Sequence, residues 1–475
     1  MSRRRPCRTN EATRRLTAST RNSPSPAPGS SRRALARSAS FFQPTRSSRR
    51  LTNSGFVYIP HRLCRVSTGS WPFALMTGET GNADGPRERL DVPAADVEVR
   101  SMMVSGLYAG IGGFELGFER SGHQTLLMSE VDADALRVIR HRFGSVKVDA
   151  DAVKLSALPE ETEIVTAGFP CQNLSMAGGK QGIGGDKSRV VDALFRLLAV
   201  RRTPWVVIEN VYFMLHLARG AAMEHIVSRL ENLGYRWASR VVDSRAFGLP
   251  QRRRRVFIVA SLDGDPRDVL LADDAPNRKW PDPDLGKPIG FFWTEGRTGH
   301  GLTADAVPPL KAGSGLGIPS PPGVLLPSGR VVTPTIEAIE QFQGFPARWT
   351  SALKNVRDGR SRWRLVGNAV SVPIAEWIGS RLSGPGEYDC SEDSELPSGG
   401  RWPNAAWCMG DQRMVANVSE FPVMRQRARL SAFATEKWPN LSSRALAGFT
   451  RRAREGKLKY PRGFLEALEN ELSRR

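Results

Sequence analysis

Paired cysteines are missing from this chain: Cys7, Cys64, Cys171, Cys390 and Cys408 form no CxxC unit and no His/Cys cluster at zinc spacing. That excludes a disulfide framework and a structural metal site, and it points to a reducing compartment, of which the bacterial cytoplasm is the simplest. No apolar run approaches the length of a membrane span. A P-loop lysine is absent, and the glycine spacing is not that of a dinucleotide fingerprint, so two common nucleotide-binding classes fall away. Lysine is also absent from residues 1–75, which hold 15 Arg and a single acid, Glu11.

This last absence relocates the charge. The chain carries +20 overall, but from Met76 onward 53 basic residues face 47 acidic ones, a net of only +6. The leader is rich in Ser, Arg and Pro and lacks the apolar periodicity needed to bury a core. Three readings compete for it: a disordered nucleic-acid-binding arm, an organellar transit peptide, or upstream sequence translated from a misassigned start, with Met76 opening the chain. Its Arg-without-Lys bias favours the last, and residues 1–75 are set apart from the fold.

What is present is an alternation of short apolar runs with helical patterns between residues 100 and 261, the signature of a parallel sheet flanked by helices. Seven runs read as strands: 102–108, 125–129, 146–148, 164–167, 205–208, 237–242 and 256–260. Helical patterns occupy 113–120, 132–142, 189–200 and 221–233. The expected fold is α/β, with a doubly wound, mostly parallel, seven-stranded Rossmann-like sheet. Residues 262–335 turn rich in Asp, Pro and Gly and read as a small irregular region of the kind that forms binding surfaces. Helical patterns at 336–342 and 372–382 then return the chain to the main domain, and residues 383–475 read as a C-terminal extension with basic amphipathic helices.

Chemistry concentrates at the ends of these strands. The first runs into SGLYAGIGGFELGF, whose Gly110, Gly112 and Gly113 allow a tight turn under a nucleoside-bearing ligand. The second ends in Glu130, which reads equally as a solvated strand end or as an acid about where such a fold meets ribose hydroxyls. The fourth leads into GFPCQNLS, which sets Cys171 on a loop shaped by Gly and Pro; a lone cysteine there is more often core than nucleophile, so this motif decides little alone. The fifth, PWVVIENV, delivers Glu209 and Asn210 at its carboxyl end, where open α/β sheets form their ligand crevice. In QRRRRVFIVA, strand alternation puts Arg253 and Arg255 on one side and Arg252 and Arg254 on the other.

Together these segments resemble the bacterial cytosine-5 DNA methyltransferases that use S-adenosylmethionine. The resemblance covers residues 101–261 and 330–382 in the family's order: YAGIGGFELGF, SEVD, GFPCQNLS, ENV, QRRRRVFIVA, QGFP and RLVGNAVSVPIA. It implies methyl transfer to carbon 5 of a cytosine flipped out of a specific duplex sequence, through covalent addition of Cys171 at carbon 6. By the same resemblance Glu209 holds a proton at ring nitrogen 3, Arg255 contacts the base carbonyl, and Arg253 supports the loop. Tyr108, Ala109, Gly110, Ile111, Gly112, Gly113 and Phe114 would line the cofactor, with Glu130 on its ribose and Asn368 and Val370 closing the pocket. Asp151 would meet the adenine, with Asp149 a competing assignment. Pro170, Gln172, Asn173, Ser175, Asn210 and Gln251 would bind substrate. Residues 262–335 become the target-recognition region, and the protein is expected as a monomer, working beside a cognate restriction endonuclease, with no metal and no membrane.

Two departures stand out. The family's acid two positions before the loop aromatic is Gly106 here, and Tyr108 stands where Phe is usual. Two alternatives remain at this level: a transfer-RNA methyltransferase, although its Cys-Phe-Thr segment is absent, and a catalytically silent DNA-binding relative, which the intact Pro170, Cys171 and ENV argue against.

Overall fold

A computed structural model describes residues 100–169, 189–276, 280–297, 299–311, 320–353, 358–399, 401–410, 412–433 and 435–475. All of these belong to one compact unit, Val92–Arg475.

The first five strands are β1 (Met103–Leu107), β2 (Gln124–Ser129), β3 (Lys147–Asp149), β4 (Ile164–Ala167) and β5 (Trp205–Val211), and every pairing among them is parallel. β6 (Arg236–Asp243) and β7 (Arg254–Ser261) follow, with β7 inserted antiparallel between β5 and β6. All seven expected strands form. The sheet is nevertheless ten-stranded, because β12 (Ser394–Glu395), β13 (Ala405–Cys408) and β14 (Arg413–Val415) add to its β6 edge. The expectation of seven is corrected accordingly. These three strands are two to four residues long, too short for alternation to register, and they cover backbone groups that an edge at β6 would expose.

Apolar content sets the two faces. Along β5, Val206 and Ile208 point to one side, against Leu194, Phe195 and Leu198 of α3 (Arg189–Val200) and Ile226 and Leu230 of α4 (Ala221–Asn232). Val207 points to the other side, where Phe114 and Phe118 of α1 (Gly113–Arg120), Leu270 of α5 (Pro266–Leu270) and Ile374 and Ile378 of α8 (Val372–Ser383) pack. Burial on both faces is why this strand reads as a continuous apolar run. The helix α2 (Ala133–Arg142) begins at Asp132, whose carboxylate accepts from the backbone of Asp134 and Ala135.

Residues 289–332 form a second, antiparallel sheet of β8 (Ile289–Phe291), β9 (Thr303–Ala304), β10 (Gly323–Leu325) and β11 (Val331–Val332). Its core is shared with the C-terminal segment: Ile289, Phe291 and Leu325 pack with Leu446 and Phe449 of α9 (Ser443–Glu455) and Phe464 and Leu468 of α10 (Phe464–Ser473). The helices α6 (Ile336–Phe342) and α7 (Asp358–Asn368) share a core cluster with Met128 of β2 and with Val324 and Val332 of the small sheet. Among the described residues no helix is long and apolar enough to cross a membrane.

The strand order β6-β7-β5-β4-β1-β2-β3 reverses direction between β1 and β4. In an open sheet a ligand crevice opens outside the carboxyl ends of the strands at that point. The ends of β1, β2, β4 and β5, with Glu209 on the last, and the start of β7 at Arg254 and Arg255 all lie at that end of the sheet.

Candidate active site

The loop after β1 is built to leave space. Tyr108 adopts φ +59°, and Gly110 and Gly112 adopt +58° and +83°, a left-handed run that costs little only at the glycines. Around a Cβ placed on Gly110 nothing lies within 4 Å, whereas one on Gly112 would strike the Phe143 ring at 2.3 Å and one on Gly113 the Val370 carbonyl at 2.5 Å. Gly110 thus faces open space while Gly112 and Gly113 fasten the loop to the fold. Ile111 and Phe114 are buried, and the Ile111 carbonyl accepts from the Trp349 indole at 2.8 Å. Ala109 donates its backbone N–H to the Ser129 carbonyl at 3.0 Å. The Tyr108 hydroxyl donates to the Val190 carbonyl, a bond that phenylalanine could not make, and burial raises its pKa.

Glu130 follows β2 with its carboxylate fixed by three backbone N–H groups: Gly110 at 2.8 Å, Val131 at 2.9 Å and Asp132 at 2.7 Å. It is therefore held against the glycine loop, with lone pairs to spare for a hydroxyl. Beside it Val131 is 71% exposed, an apolar surface between two acids that the sequence analysis did not single out. Asp149 accepts from the backbone of Asp151, and Asp151 accepts from Val153 and pairs with Lys154 at 3.7 Å. Both aspartates shape the same turn. Asn368 is exposed at the end of α7, and Val370 lies against Gly113 and Gly168. The open face at Gly110, the fixed carboxylate and the exposed valine together suit an adenosine-bearing cofactor.

Glu209 belongs to the other half of the crevice. In the antiparallel β5–β7 register it stands opposite Phe257, so Arg255, two residues along, shares its face, as does Arg253. Arg255 Nε lies 3.0 Å from Glu209 Oε1, and Glu209 is 7% exposed. Burial pushes the Glu209 pKa up, while Arg255 and then Arg253 pull against it. A carboxyl so placed carries or yields a proton readily beside a fixed guanidinium donor.

Arg253 is turned inward. At 1% exposed, it donates to the carbonyls of Leu310, Gly367 and Ala369, joining β7 to the segment between α7 and α8. Burial, followed by repulsion from Arg255, lowers its pKa. Arg253→Leu should remove the donor from all three carbonyls, leaving Ala369 only its longer bond from Gln343, and destabilise the protein by about 3 kcal/mol. Urea denaturation measures this, and a loss below about 1 kcal/mol would show that the bonds contribute little.

Asn210 donates to the Phe169 carbonyl at 3.0 Å and accepts from its neighbour Val211, which ties β5 to the start of the loop after β4. Gln251 has no exposed surface: its amide nitrogen reaches the Phe342 carbonyl and Gln343, and its oxygen accepts from Leu310. Gln343 in turn bonds Val366 and Ser371, a polar junction that a single sequence does not reveal. Pro170, Cys171, Gln172, Asn173 and Ser175 lie outside the described residues, so the structure brings β4 up to Phe169 and no further along that loop.

Comparison with known proteins adds a second line of information. The family model described as C-5 cytosine-specific DNA methylase matches residues 102–292. The Type II methyltransferase M2.BsuMI of Bacillus subtilis (strain 168) is 44% identical over 387 residues, which cover 78% of this chain and 97% of that protein. The Type II methyltransferase M.DsaV of Dactylococcopsis salina is 26% identical over 318 residues, covering 60% and 87%. The solved S. pombe Dnmt2 methyltransferase aligns with a TM-score of 0.46 at 16% identity, over 59% of this chain and 98% of that one.

Proposed function

This chain belongs to the C-5 cytosine-specific DNA methylases, which makes it a DNA cytosine-5 methyltransferase, and from that premise we propose that it modifies one cytosine within a specific duplex sequence, flipped out of the helix, by covalent catalysis from Cys171. The observation that carries this reading is the Glu209–Arg255 pair, 3.0 Å apart on one face at the carboxyl end of β5, in the crevice that the glycine loop borders.

S-adenosylmethionine, when bound, supplies an electrophilic methyl group. Tyr108, the Ala109–Phe114 backbone, Glu130, Val131, one of Asp149 or Asp151, Asn368 and Val370 would hold it. Carbon 5 of cytosine is a poor nucleophile, so the ring must first lose its conjugation. The Cys171 thiolate adds at carbon 6, and Glu209 places a proton at nitrogen 3 as charge develops there. Arg255 directs its guanidinium at the base carbonyl and keeps Glu209 oriented. Carbon 5 then accepts the methyl group, and loss of its proton restores the ring and expels Cys171. Arg253, Asn210 and Gln251 act as positioning residues, since their bonds run to backbone at Ala369, Phe169 and Phe342. Reaching this pocket requires the base to unstack, at roughly a few kcal/mol. Pro170, Gln172, Asn173 and Ser175 would line the flipped base, the sheet of residues 289–332 would face the target sequence, and the chain would act in a restriction-modification pair.

Bisulfite sequencing of DNA from cells expressing the chain tests the reading. One sequence context with protected cytosines is expected. Unprotected DNA together with methylated RNA would replace duplex DNA by RNA as the substrate.

A further inference from the structure

Beneath the cofactor loop lies a carboxylic acid without a partner. Glu115, in the first turn of α1, is 1% exposed, and neither of its carboxyl oxygens makes a hydrogen bond of normal geometry. The carboxyl fills the gap left by Gly106, since a Cβ at that position would fall 1.8 Å from Glu115 Oε1. Gly106 stands opposite Thr166 in the β1–β4 register, and the Thr166 hydroxyl is likewise buried without a well-formed bond. All three groups sit at the switch point, one residue before the ends of the strands that lead to Tyr108 and Phe169.

An unpartnered buried carboxyl is costly, and an apolar side chain of similar size would avoid the cost. Its surroundings are one-sided. Burial raises the Glu115 pKa to about 8, and Glu119 on α1 and Glu130 after β2 push in the same direction, while its own backbone N–H and Thr166 oppose them. From β1 and β4 it meets Gly106 and Thr166; α8 faces α1 with Ala375 and Glu376, the latter paired with Arg120. The largest influences on its protonation are burial, two acids, its own backbone and Thr166, with no basic group among them. The nearby acids have cations of their own, since Arg364 pairs with Asp132 and acts on Glu130 and Arg120 pairs with Glu376; Glu115 has no such ion pair among the described residues, and S-adenosylmethionine bears a sulfonium and an ammonium.

We propose that Glu115 is a proton-switched counter-charge for the cofactor, protonated in the cofactor-free protein and ionised when the cation sits on the loop above it, so that binding expels a proton. On binding, the carboxyl O–H bond breaks, its electron pair stays on the carboxylate, and the proton passes to the buffer. Because Glu115 is buried, it acts by charge across the loop rather than by contact, which makes it a positioning residue. The sign follows from linkage: the bound state holds fewer protons, so affinity rises with pH until Glu115 is already ionised in the free protein. The inference rests on the cofactor assigned above.

Titration calorimetry of the full chain with S-adenosylmethionine near pH 7, in two buffers of different ionisation enthalpy, reads the proton directly. Wild type should release about one proton more than Glu115→Gln, and its Kd should tighten by up to about tenfold per pH unit below the Glu115 pKa. Any contribution from the cofactor's own amine is common to both proteins and cancels. Infrared difference spectra of the wild type alone should lose the protonated-carboxyl band on binding, which keeps the test independent of whether the variant folds. Equal proton release from both proteins, or a band that persists, overturns the role of Glu115 and leaves the methyltransferase reading standing. A wild type that does not bind the cofactor overturns both.

Discussion

Replacing Cys171 with alanine is expected to cut transfer of labelled methyl to duplex DNA by a factor of about 10^4 or more, on the scale seen when a covalent nucleophile is removed. Without addition at carbon 6 the ring stays aromatic, and carbon 5 has no electron density to offer a methyl group. Cofactor affinity should not change, because the groups assigned to the cofactor stand on the loop after β1, on Glu130 and on the turn after β3. The paired measurement therefore separates chemistry from binding. Wild-type rates in the alanine variant would end the covalent mechanism.

Glu209→Gln is the second large effect, a drop of roughly 10^2 to 10^3 in turnover, as expected for loss of one positioned proton donor. The amide keeps the shape and can still accept from Arg255, so folding should survive, but it cannot deliver a proton to nitrogen 3. The pH dependence carries the sign. Burial raises the Glu209 pKa, so its protonated form persists to higher pH than an exposed carboxyl's and disappears as pH rises through that value. Cys171 needs the opposite, since its thiolate grows with pH. The wild type should accordingly show a bell-shaped profile whose two limbs belong to the coupled system. In the glutamine variant the limb that falls with rising pH should vanish, as measured by single-turnover rates across pH. Retention of that limb would move the proton donor elsewhere.

Much of this was legible beforehand for a definite reason. Strands buried on both faces leave unbroken apolar runs, and chemistry at their carboxyl ends interrupts those runs with groups too polar to be filler, as Glu209 does after Val206, Val207 and Ile208. The glycine loop was legible because its left-handed positions suit glycine. Illegible were features whose partner is far along the chain. Alternation set Arg253 and Arg255 on one side, but nothing local showed that Arg253 would reach the carbonyls of Leu310, Gly367 and Ala369. Nothing local marked Val131 as exposed or Glu115 as buried, yet the fold makes them so.

By itself, then, the sequence determined the α/β class and the seven strands from Met103 to Ser261, because periodicity and local conformational demands are written residue by residue. Only the tertiary structure decided that the sheet continues through β13 and β14, that α9 and α10 complete the core of the small sheet, and that the space Gly106 leaves is taken by Glu115. Each of these is a contact between segments distant in the chain, or a burial cost met only once the layers close. Neither leaves a trace in local pattern.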